Sequence, residues 1–458
     1  MPRAVAGDYA FRRLRENHDN FFLYRGPWRA ICACPDEGAI IMKRKSILLI
    51  ASAGMLHAGN TEPTVQVQVP AADSKWITPL LDIRARYEYA GVDGKDPSTA
   101  LTLRERIGLK TKAWNGFSGL VEGEFTEVLG ADYNSGAGPQ AYPSDRANSV
   151  IADPRNAELN QAFLQYDGFD TVARVGRQRL IYDNAAFIGN SGWRQNEQTF
   201  DAISLSNKSI DGLTLKYAHL TQVNRIYGSE ANSALTTAPL FDNVADVSAN
   251  VNLFNASYTG INGLTLGGYA YLIDFEHKRN WDNNTFGVSA KGDVMDLTLY
   301  GEVAVQDRSG LAADGQAFYG HFTATKKIGD QTLVLGLEEL GAGFKTPLAT
   351  VHTFNGYADA FIGGRIEGNH HGLTDVYISH AFPICYGIQW TNSLHAYGDD
   401  EISTGYGWEV DSVLSKKFDD HFSSIVKFSL FESNGAAFVG STGLPTTTRL
   451  SMELDYTF

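Results

Sequence analysis

The sequence predicts an all-β protein, a transmembrane antiparallel β-barrel of about 18 strands with short periplasmic turns and long extracellular loops. Three observations predict it. Residues 449–458 alternate strictly, with Leu450, Met452, Leu454, Tyr456 and Phe458 on one face and Arg449, Ser451, Glu453, Asp455 and Thr457 on the other. Side chains of a strand point to opposite faces in turn, so this segment has one apolar and one charged side, as lipid outside and water inside a barrel require. The same unit recurs along the chain: an alternating stretch, a short turn, another stretch, a longer loop. Finally, no uncharged apolar run reaches the ~20 residues of a spanning helix, and mean hydropathy is −0.21.

Composition fits. Of 458 residues 43% are hydrophobic and 12% aromatic, and 46 are Gly. That suits strands, turns and an aromatic girdle. A net charge of −14 argues against nucleic-acid binding through a basic face. Cys32 and Cys34 precede the expected mature start, which leaves Cys385 alone, with no disulfide framework and no metal set. No cofactor is implied.

Residues 42–59 read as an export signal: Met42-Lys43-Arg44-Lys45, then the apolar run 46–56. Residues 1–41 read as an upstream extension of a mis-called gene start, 60–77 as a polar lead-in, and 78–458 as the barrel.

The clearest strands come first. In 81–90, Ile83, Ala85, Tyr87 and Tyr89 oppose Asp82, Arg84, Arg86 and Glu88. In 101–113, Leu101, Leu103, Ile107 and Leu109 oppose Arg104, Arg106, Lys110 and Lys112, while Glu105 breaks the pattern and is expected at a rim or bulge. In 117–126, Phe117, Val121 and Phe125 oppose Glu122 and Glu124. Later stretches alternate likewise, including Tyr406, Trp408, Val410 and Leu414 against Glu409 and Asp411. Gly, Asn and Asp mark short turns at 114–116, 167–170, 260–263, 291–293 and 418–420. Long loops fall near 129–158, 182–198, 224–248, 343–372 and 433–446.

The chemistry is concentrated on the first two strands. If 91–100 is a hairpin loop, Arg84 and Arg86 lie beside Arg104, Arg106, Lys110 and Lys112. Such crowding needs an offset: lumenal carboxylates such as Glu88, Glu122 and Glu124, water, or an anionic permeant. A cationic ring in a pore favours anions, and Arg grips carboxylates with two parallel hydrogen bonds. A structural ladder of paired charges is the other reading, and both can hold together. Arg174, Arg177 and Arg179 cannot all face one way on a regular strand. A bulge near Gly176, or a rim position for Arg177 and Arg179, would reconcile them. Loop 182–198 carries Arg194 and could fold inward.

Gly176-Arg177-Gln178-Arg179, Asp183-Asn184 and the string Gly192-Trp193-Arg194-Gln195-Asn196-Glu197-Gln198-Thr199-Phe200-Asp201-Ala202 resemble the bacterial alginate export family of outer-membrane porins. Thr346-Pro347-Leu348, Phe354-Asn355-Gly356-Tyr357-Ala358-Asp359 and Gly372 to Tyr377 extend the resemblance, with Tyr357 standing where Trp is expected. The resemblance implies eighteen strands, an electropositive pore passing polyuronate outward, and Arg177, Arg179, Arg194, Glu197 and Asp201 at the lumen or its constriction.

The expected function is therefore an outer-membrane porin, not an enzyme, passing acidic polysaccharide or other anionic solutes by passive diffusion. Uptake of small anions or oligosaccharides is the alternative within transport. A barrel enzyme is a further one, but no Gly-x-Ser-x-Gly is present. A structural or adhesive role would call for a plugged barrel without conductance. Expected partners are outer-membrane lipid, the anionic polysaccharide or small anionic solute, and periplasmic secretion components.

Overall fold

A computed structural model describes residues 76–138, 141–231, 244–277, 279–308, 315–439 and 442–458. The extension, the export signal and nearly all of the lead-in lie outside them. The barrel strands are β1 (Ile77–Val92), β2 (Ser98–Thr111), β3 (Phe117–Asp132), β4 (Asn156–Gly168), β5 (Thr171–Gln178), β6 (Thr199–Ile210), β7 (Leu213–Asn224), β8 (Asp246–Ile261) and β9 (Leu264–Ile273). They continue with β10 (Asn283–Val294), β11 (Leu297–Arg308), β12 (Gly315–Ile328), β13 (Gln331–Leu340), β14 (Leu373–Pro383), β15 (Gln389–Gly398), β16 (Gly405–Lys417) and β17 (Phe422–Ser433). A small hairpin, β18 (Ala437–Val439) with β19 (Thr442–Gly443), precedes β20 (Thr447–Thr457). Each barrel strand pairs antiparallel with the next, and β20 pairs with both β17 and β1, closing an 18-stranded cylinder. Closure leaves no unpaired sheet edge, which hydrocarbon demands.

Two-residue periodicity decides the faces. Leu101, Ile107, Leu109, Val121, Phe125, Met452, Leu454 and Tyr456 are exposed on the outside, whereas Arg86, Arg104, Arg106, Glu124 and Glu453 are buried inside. Short turns gather at the end that holds Ile77 and Thr457, and the long connections 133–155, 179–198, 225–245 and 341–372 gather at the other. By the outer-membrane rule the first end is periplasmic.

Several local expectations are corrected. Residues 291–293 belong to β10, and the turn is Met295–Asp296. Glu105 sits opposite Ile83 and Phe125 in unbroken register, neither at a rim nor in a bulge. Tyr406 falls where the β15–β16 register shifts, and it is buried in the interior instead of facing out with Trp408.

Two long loops fold into the lumen from the extracellular end. Phe187 and Ile188 of loop 179–198 and Phe344, Leu348 and Phe361 of loop 341–372 pack with Tyr269, Tyr271 and Tyr319 of the wall in one apolar cluster. Burial of these rings, about 25 cal/mol per Å², holds the loops inside the cylinder.

Candidate constriction

The register of β1, β2 and β3 sets Arg84 opposite Arg104, Asp82 opposite Arg106, and Arg106 opposite Glu124. Like charges are thus adjacent, and carboxylates offset them. Arg104 pairs with Asp82, Arg106 Nε donates to Glu124 Oε2 at 2.6 Å, and Arg84 Nε donates to Asp455 Oδ1 at 2.7 Å. Glu88 takes Arg86 at 2.9 Å, Arg194 at 2.8 Å and Arg449 at 3.0 Å. Closure by β20 supplies Glu453 and Asp455 to the first strand.

Loop 179–198 folds onto this wall. The carbonyls of Gly192 and Trp193 accept from Arg84 and Arg86. Gln195 Nε2 donates to Thr102 Oγ1 at 2.7 Å, and its backbone N–H donates to Asp153 Oδ1 at 3.0 Å. Glu197 is the anchor. It pairs with Arg179, accepts from Asn160 Nδ2 and Asn190 Nδ2, each at 2.6 Å, and lies 3.8 Å from Arg106. Burial alone would raise the Glu197 carboxyl, but the Arg106 and Arg179 guanidiniums reverse this and hold it well below the usual carboxylate range. A bulge makes part of this site. One extra residue on β4, Asn160, turns it and Gln161 both inward, where both donate to Glu122 Oε1 at 2.8 and 3.0 Å.

Loop 341–372 closes the other side. Trp193 stacks on His352 with ring centroids 3.6 Å apart and planes 11° from parallel. Gly189 N–H donates to Leu348 O at 2.8 Å, and Thr350 N–H donates to Ala185 O at 3.1 Å. Arg194 reaches Asp359 at 3.5 Å. Against the far wall, Ala358 N–H donates to Glu409 Oε1 at 2.7 Å and Arg365 pairs with Glu338 at 2.8 Å. That wall is acidic: Glu338, Asp375, Glu409 and Asp411 face in, with His395 between Asp375 and Asp411 at 3.0 and 3.6 Å. The arginines of β1, β2 and loop 179–198 are interleaved with carboxylates, whereas the wall of β13–β16 carries mainly acids, with Arg365 set against Glu338.

The residues singled out from sequence divide accordingly. Arg84, Arg86, Arg104, Arg106, Arg179, Arg194, Glu122, Glu124 and Glu197 come together inside. Lys110 shares the inward face of β2 nearer the periplasm, whereas Lys112 lies beyond the end of the strand, exposed beside the turn. Arg177 and Asp201 do not belong to the lumen. They pair at 2.7 Å on the outer parity, in line with Val175 and Ile203, which are 51% and 52% exposed. It is Arg174 that points in, bonded to Gln165 at 2.7 Å over the Phe163 ring. Gly176 carries this segment without a register shift: its φ is +121°, and a Cβ there would sit 2.2 Å from Ala162 O. Arg177→Gln is accordingly expected to leave ion selectivity unchanged in planar bilayers. A change in reversal potential would contradict the outward placement. Asp153, Asp359 and His352 were missed because loops carry no periodicity. Arg449, Glu453 and Asp455 carried a signal, the charged face of the last strand. Ser191 Oγ donates to the carbonyls of Ala349 and Thr350, each at 3.5 Å.

A closed cylinder with an apolar outside, a charged inside and two infolded loops defines an outer-membrane channel. The sequence profile of the alginate export family matches residues 81–326, more than half the chain, and the protein belongs to that family. It is a protein of the bacterial outer membrane. No significant match is found among curated proteins. Among solved structures it is similar to OpdQ of Pseudomonas aeruginosa, with 12% identity over 84% of this chain and 99% of that one and a TM-score of 0.59. OccAB4 of Acinetobacter baumannii gives 13% identity, 84% and 98% coverage and 0.63. OpdK of Pseudomonas aeruginosa, solved with vanillate, gives 12%, 83% and 98%, and 0.58. At these identities the likeness concerns the fold.

Proposed function

We propose that the protein is a passive channel for small solutes carrying a carboxylate, guided through the constriction by its arginine wall. One observation carries this reading: the guanidiniums of the wall share carboxylates, and those of Arg84, Arg179 and Arg449 keep 14%, 33% and 15% of their side chains open. A guanidinium that exchanges an internal carboxylate for a solute's keeps the same number of strong hydrogen bonds. A neutral solute offers no such exchange and leaves partners unsatisfied. The acidic wall opposite repels an anion towards the arginines. The vanillate bound to OpdK is a carboxylate of this class.

Reversal potentials of single channels under a KCl gradient test the reading. Anion preference is expected, reduced when Arg84 becomes Gln. Cation preference in the unmutated protein would refute it. Polyuronate export is the second reading, favoured by the family match. It requires loops 179–198 and 341–372 to withdraw together, so oligouronates would pass only through variants in which the loops are released.

A further inference from the structure

We propose that Arg225 is a capture site for carboxylate-bearing solutes at the loop-side entrance to the constriction, an inference that rests on the channel reading above. Arg225 follows β7 directly, and its backbone N–H donates to Ala245 O at 2.9 Å, which fixes its position. It is 7% exposed. Its guanidinium carbon lies 4.7 Å from the Trp281 ring centroid and 5.9 Å from that of Tyr227. Nε and Nη1 have no hydrogen-bond partner. Among the described residues the other buried arginines, Arg86, Arg104, Arg106, Arg194 and Arg365, each have a carboxylate within ion-pairing reach, and Arg225 has none.

A buried guanidinium that pairs with no carboxylate is costly, and the aromatic faces and the more distant Glu367 carboxylate offset only part of that cost. An anion arriving from outside would complete the set. The position suits capture. Asn196 of the constriction loop donates Nδ2 to Ile226 O at 3.1 Å, so the segment bearing Arg225 is bonded directly to the loop bearing Arg194. The fork recognises the carboxylate, and Trp281 and Tyr227 favour a flat ring attached to it.

Sodium benzoate is the probe. Added to wild-type channels in planar bilayers, it is expected to block current saturably. Arg225→Gln should raise the half-blocking concentration about tenfold, as loss of a charge-assisted hydrogen bond implies. Equal block of wild type and Arg225→Gln would overturn the site. So would an anion-preferring wild type that benzoate does not block, while the channel reading stands. A cation-preferring wild type in which Arg225 still sets benzoate affinity supports the site and sinks the channel reading alone. Calorimetric titration of benzoate into the purified barrel gives the same comparison without conductance. Arg225→Met separates a structural role: its melting temperature should equal or exceed that of wild type, and a fall would show the charge to be satisfied within the chain, against the proposal.

Discussion

Glu197→Ala should release loop 179–198 from the barrel wall and raise single-channel conductance several-fold. The carboxylate is fully buried and is the common partner of Arg179, Asn160 and Asn190, with Arg106 at 3.8 Å. Its removal takes the main partner from Arg179, which is one-third open, and an acceptor from Asn160 and Asn190, while Arg106 keeps Glu124, a cost of about 1–3 kcal/mol. The strand ladders do not depend on it, so that cost falls on the loop. The barrel should still assemble, and trypsin should reach the bond after Arg194, which is buried while the loop is docked. Wild-type conductance together with protection of Arg194 would sink the idea. The acid dependence has a definite sign. A carboxyl held below its ordinary range stabilises docking fully above that range and loses the effect as pH falls through the depressed value. Wild-type channels should therefore stay narrow through mildly acid solution, whereas the variant is already wide at neutral pH.

Gly356→Ala is expected to displace loop 341–372 with comparable effect. Gly356 has φ +83°, which disfavours any side chain, and a Cβ there would come within 2.3 Å of the Glu409 carboxylate. The same carboxylate accepts the N–H of Ala358, so its retreat would break the tether. The loss should appear as a wider, noisier channel with an unchanged heat-modifiable barrel on gels. A variant of wild-type conductance would show that the loop tolerates the strain. Because the loops touch through Trp193 and His352, the double variant with Glu197→Ala should be less than additive.

Much of the cylinder was legible because alternation has a strict period, and a lipid face enforces it. Leu101, Leu109, Leu454 and Tyr456 point outward as their parity requires. Parity also held the answer for Arg177, which it groups with Ala173 and Val175. The resemblance of a local string implies a lumenal Arg177 and Asp201, whereas the register sets both on the outer parity. Glu105 shows the opposite case, an acid on the outer parity of a regular ladder. Tyr406 escaped because a bulge changes parity without a mark in composition. The constriction was only half legible. Its wall follows from strand register, but Glu197, His352 and Asp359 meet through loops whose docking depends on aromatic packing and ion pairs between residues over a hundred positions apart.

The pairing of β20 with β1 has a bearing on biogenesis. Arg84 and Arg86 acquire Asp455 and Glu453 only when the seam between these two strands forms. Before that moment Arg84 lacks the two carboxylates that pair with it, and the final zippering supplies them. Completion of the ring is thus rewarded electrostatically as well as by hydrogen bonds.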